Sequence, residues 1–91
     1  MDAMAPRWRV TVAALERLGE TEAFREFAEQ WDARLPGDPM TPQRAYGGVI
    51  DGGAWDSADA MRSALCSNHG GGIPIAVIDA LVACCDPALG G

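Results

Sequence analysis

One stretch of this chain is apolar almost without interruption: Ile73 to Cys85, broken by Asp79. A bilayer span needs about 20 such residues, so this shorter segment has to be buried by protein. Pro74 suits the first turn of a helix, where a missing backbone N–H costs nothing. From there Ile75, Ile78, Val82 and Cys85 fall on one helical face, and Val77 and Leu81 widen it. A helix that is apolar nearly all round belongs at the centre of a fold. Pro74–Cys85 is therefore the expected core element, stopped by Asp86-Pro87.

Little material is left to wrap it. Leu, Ile, Val and Phe number 17 of the 91 residues, and the other apolar positions are mostly Ala, with 16. That is close to the share, roughly 20%, below which chains stop forming a core. A domain of this size buries only about 60% of its unfolded surface. The expectation is one small, marginally stable helical domain over residues 8–91, preceded by a disordered start at residues 1–7. There is too little chain to wall a deep catalytic pocket.

The remaining apolar residues are spaced for helices. Trp8, Val10 and Val12 alternate as a strand would, yet Trp8, Val12, Leu15 and Leu18 also make a helical stripe. No second clear strand offers itself for pairing, so a helix ending at Gly19 is expected over 8–18. Thr21 is a good N-cap for the next one, whose face is Phe24, Phe27, Ala28, Trp31 and Leu35. Glu22, Arg25, Glu26, Glu29 and Asp32 fall mostly off that face, and Pro36-Gly37 end it. Residues 36–54 read as a long loop. Thr41-Pro42 starts at most a short helical turn there, and Tyr46, Val49 and Ile50 pin the loop to the core. Asp56 or Ser57 opens a further helix, with Ala58, Met61 and Leu65 inward and Ala64 beside them. The stretch Asn68 to Gly72 breaks it. The expected fold is all-α: a small four-helix bundle with an extra N-terminal helical segment.

Charge narrows the function. Thirteen Asp and Glu face 7 Arg with no Lys, a net charge of −6. Phosphate backbones are bound through clustered cations, so nucleic acid is not an expected partner; basic protein surfaces are. Met1 to Arg9 has no apolar signal core, no stretch is long enough for a membrane, and a cytoplasmic location is expected. An odd count of 3 cysteines does not read as a disulfide framework. Cys66, His69, Cys84 and Cys85 are weak candidates for zinc. Adjacent cysteines on a helix point about 100° apart, a poor clamp for a tetrahedral ion, so small buried thiols and no metal are expected. His69-Gly70-Gly71-Gly72 looks like an esterase oxyanion loop, but that motif has meaning only beside an α/β sheet. It reads as a hinge.

The remaining motif is Trp55-Asp56-Ser57, with Gly52-Gly53 upstream, at the start of a helix after the long loop. A serine there is exposed and sits in the positive potential of free backbone amides, which favours a phosphodiester on its hydroxyl. Taken with its flanks, the segment resembles the acyl and peptidyl carrier proteins of fatty-acid, polyketide and nonribosomal-peptide synthesis. In that family an Asp-Ser pair starts the second helix of a small acidic bundle. The resemblance covers residues 22–87: the 22–35 helix stands where the family has its first, Met61 where it keeps an apolar residue one turn after the serine. Gly72-Ile73-Pro74-Ile75 is similar to the stretch leading out of its second helix. Ala58 replaces the usual Leu, and residues 8–18 have no counterpart in the minimal domain.

The resemblance implies a non-catalytic carrier. A phosphopantetheinyl transferase would attach 4'-phosphopantetheine from coenzyme A to Ser57, beside Asp56. Acyl- or aminoacyl-loading enzymes with basic surfaces would then dock on Trp55, Asp59 and Met61. The rival expectation, drawn from the acidic 20–32 segment and the absence of Lys, is an acidic helical interaction module, an inhibitor or subunit adaptor, with no covalent cofactor.

Overall fold

The computed structural model describes residues 7–34, 37, 39–50, 53–69 and 73–87. The expected disordered start at 1–7 therefore lies outside the described residues except for Arg7, as do Leu35, Pro36 and the three glycines at 70–72. Among the described residues there are five α-helices: α1 (Val12–Leu18), α2 (Glu22–Arg34), α3 (Pro42–Tyr46), α4 (Ala58–His69) and α5 (Ile75–Cys84). None is long and apolar enough to cross a membrane.

α5 is the element the rest is built on. Val77, Ile78, Leu81, Val82 and Cys84 are buried, and α1, α2 and α4 each pack against it. Ile75, expected on the inward stripe, is 51% exposed; it opens the helix, before neighbouring elements close over it. Asp79, the one charge in the apolar run, is on the outside and pairs with Arg62 of α4. At the other end Arg17 of α1 donates from Nη1 to the Cys84 carbonyl at 3.0 Å. That puts a cation at the negative end of the helix dipole and occupies one of the carbonyls a helix terminus leaves open.

The first helix is shorter than its apolar stripe suggested. It starts at Val12, with Thr11 as N-cap accepting from the Ala14 N–H at 3.0 Å. Val12 is 55% exposed; the inward residues are Val10, Ala14, Leu15 and Leu18. Trp8 is not helical: its backbone pairs in an isolated antiparallel bridge with Trp55. The alternation of Trp8 and Val10 was the correct period, and the pairing partner is a single residue of the loop.

Thr21 joins α1 to α2. Its hydroxyl donates to the Leu18 carbonyl at 2.7 Å and accepts from the Phe24 N–H at 3.2 Å, closing one helix and capping the next. α2 then buries Phe24 and Phe27. Their rings meet edge to face, with centroids 5.8 Å apart, and Trp31 continues the row 6.1 Å beyond Phe27. Glu22, Arg25, Glu26, Glu29 and Asp32 are all exposed.

The region expected to be loop carries more structure than one turn. Thr41 caps α3 by accepting from the Arg44 N–H at 3.1 Å, with Pro42 in the first helical position. A turn of 3-10 helix, Gly47–Val49, follows. Tyr46 and Val49 are buried and Ile50 half-buried, so these residues do pin the segment to the core. α3 reaches α1 through a close approach: a Cβ at Gly19 would come within 3.2 Å of Pro42 Cγ.

Candidate functional site

The segment that leads to Ser57 is held at its middle. Trp8 N–H donates to the Trp55 carbonyl at 2.8 Å, and Trp55 N–H returns the bond to the Trp8 carbonyl at 2.7 Å. Gly53 enters this bridge with φ +132°, a conformation open to glycine and strained for other residues. Trp55 itself is half-buried against the core, and Asp56 and Ser57 emerge exposed beyond it. The bridge therefore fixes the approach two residues before the serine.

Ser57 is the N-cap of α4. Its Oγ accepts from the Ala60 N–H at 3.1 Å, and its carbonyl accepts the first helical bond from Met61 N–H at 3.1 Å. The serine, not Asp56, takes this role. Its hydroxyl is thus exposed, at the positive end of a 12-residue helix. Among the described residues it has no hydrogen bond to a carboxylate or imidazole, the contact that activates a serine nucleophile. A group attached to this oxygen would be presented outward, next to free amides.

The neighbouring residues divide sharply. Asp56 and Asp59 are exposed, Asp59 in the first turn of α4. Met61 is fully buried, with 0% of its surface exposed. It faces the core with Leu65 one turn on, so the expectation that it forms part of a docking patch is corrected: it has no surface to offer. Trp55 keeps part of its surface, the rest being packed inward.

The cysteines do not gather. Cys66, half-buried on α4, lies near enough to Tyr46 and Arg62 to affect their ionisation. Cys84 and Cys85, at the end of α5, are buried and interact with Arg17 instead. The His69 side chain lies outside what is described. Among the described residues no three His, Cys, Asp or Glu side chains converge on one point. Burial pushes the Cys85 thiol up to about 12, with Cys84 adding to the shift and Arg17 opposing it. Burial likewise raises Cys84. Both are therefore held as neutral thiols near pH 7, whereas a nucleophilic cysteine is a thiolate.

The bridge was not visible in the sequence beforehand. Its one signal in the sequence is the alternation of Trp8 and Val10, and the partner, Trp55, lies in a stretch with no strand pattern of its own. No protein-family model matches this sequence, and no match was found among curated proteins or solved structures.

Proposed function

We propose that this chain is a carrier protein that holds acyl or aminoacyl intermediates as thioesters on a phosphopantetheine arm attached to Ser57. The observation that carries the reading is the exposed Ser57 hydroxyl at the N-terminus of α4, next to Trp55 and Asp56 on a backbone pinned upstream. The chain does no bond chemistry of its own in this scheme. A partner transferase supplies the base, the Ser57 oxygen attacks the β-phosphorus of coenzyme A, and the adenosine bisphosphate half leaves. The new phosphodiester sits where free amides and the helix dipole favour an anion. The thiol that carries the load belongs to the arm, consistent with Cys84 and Cys85 being buried and protonated. Asp56 and Asp59 steer basic partners, and charge of this kind acts chiefly on the rate of encounter.

The test is incubation of the full chain with coenzyme A and a broad-range phosphopantetheinyl transferase, followed by intact mass. One adduct is expected on the wild type and none on Ser57→Ala. An unmodified wild type, or an adduct that persists in the variant, contradicts the reading.

A second reading draws on α2, whose outward face exposes Glu22, Glu26, Glu29 and Asp32. It is an acidic interaction module without a cofactor. It requires stoichiometric partner binding that is indifferent to Ser57→Ala and weakened by reversing the charge of Glu26 and Glu29. A partner that binds only the loaded serine rules it out.

A further inference from the structure

We propose that the cavity between the Arg7–Thr11 segment and the C-terminal turn of α5 binds a small oxyanion, a phosphate or carboxylate group, through the guanidinium groups of Arg7 and Arg9. The inference is independent of any modification at Ser57. The cavity has a volume of about 410 Å³, with Arg7, Arg9 and Thr11 on one side and Cys85, Asp86 and Pro87 on the other. The backbone sets which residues face it. Trp8 is held by the bridge to Trp55 and Val10 is buried. In an extended segment alternate residues share a face, which directs Arg7 and Arg9 together to the opposite side. Their Cα atoms are then about 6.6 Å apart, at roughly 3.3 Å per residue. That spacing lets two long side chains close on one anion.

Arg7 and Arg9 are both exposed. The chain has 13 acidic residues for 7 arginines, yet among the described residues neither Arg7 nor Arg9 has a hydrogen bond or ion pair. The carboxyl end of α5, the local feature that attracts a cation, already has Arg17 on the Cys84 carbonyl. Among the described residues Asp86 is the one carboxylate in the lining, against the two guanidiniums of Arg7 and Arg9. In an acidic chain that is a local excess of positive charge. The planar fork of arginine matches the oxygens of phosphate and carboxylate.

The test is a titration of the isotopically labelled full chain, at low salt, with inorganic phosphate and separately with acetate, following backbone amides by NMR. Saturable shifts confined to residues 7–11 and 84–86 are expected with at least one of the two. Phosphate alone acting identifies a phosphate site, and acetate alone a carboxylate site. Arg9→Gln should weaken binding at least about tenfold, and Arg9→Lys, which keeps the charge and loses the fork, should also weaken it. The Arg7→Gln/Arg9→Gln variant should abolish it while circular dichroism stays unchanged. Shifts that sodium chloride reproduces at equal ionic strength, that never saturate, or that survive the double variant overturn the proposal.

Discussion

The backbones of Trp8 and Trp55 exchange both of their hydrogen bonds across a gap of 47 residues, at 2.8 and 2.7 Å. This single bridge ties the start of the described chain to the residue two before Ser57. It depends on Gly53, whose φ of +132° an L side chain adopts only with strain. Gly53→Ala should therefore cost about 1 kcal/mol or more and expose the Trp55 amide to exchange. Hydrogen exchange by NMR checks this. A Trp55 amide that exchanges freely in the wild type would show that the bridge does not persist in solution.

Met61 is fully buried, so Met61→Ala should destabilise by about 2–5 kcal/mol. A chain of this size has a total stability of order 5–15 kcal/mol, so the variant should melt at least about 10 °C lower. Asp59→Asn, on the exposed side of the same helix, should leave the melting temperature nearly unchanged. Equal melting temperatures for wild type and Met61→Ala would contradict the packing described.

Ser57 has a structural task besides the proposed chemical one. Its Oγ caps α4 through the Ala60 N–H, a contact worth about 1 kcal/mol. Ser57→Ala should lose that stability, and Ser57→Asp, which can accept the same bond, should retain it. Neither variant can take the arm. Thermal melts of the two separate the cap from the attachment: equal stability for both would mean that the serine does not cap the helix.

The legible parts of this fold were those with local signals. The apolar run at 73–85 marked the central helix, Thr21 and Thr41-Pro42 marked helix starts, and the 24–31 stripe marked the aromatic face of α2. The start of α1 was misplaced because Trp8 and Val12 satisfy a helical period while Trp8 and Val10 satisfy a period of two. What decides between them is a hydrogen-bonded partner 47 residues away, which no local pattern encodes. Met61 presented the same difficulty. Its stripe position fits both a core residue and the edge of a docking patch, and only the placement of α5 over that face settles it. Ser57 was legible as the start of a helix, but whether Asp56 or Ser57 formed the cap depended on geometry.

The buried groups predict alkaline lability. The Cys85 thiol is raised from 9.0 to about 12 and the Tyr46 hydroxyl from 10.0 to about 12, each chiefly by burial. Below pH 9 both are protonated in folded and unfolded chains and add no pH dependence. As pH rises past 9 the unfolded chain releases the Cys85 proton while the folded one keeps it, and Tyr46 follows past 10. The unfolded state then binds fewer protons, so stability falls with pH. Denaturant midpoints measured from pH 7 to 11 should be flat to about 9 and then decline, with a shallower decline in Cys85→Ala. A flat profile throughout would contradict the burial of both groups.

The central claim is attachment at one oxygen, and a tryptic map of the chain after incubation with coenzyme A and transferase tests it most directly. Cleavage after arginine releases the peptide from Ala45 to Arg62, in which Ser57 is the only serine, while Ser63 and Ser67 fall in the next peptide. The account predicts the whole adduct on the peptide that contains Ser57. An adduct on the following peptide, or two unmodified peptides, would contradict it.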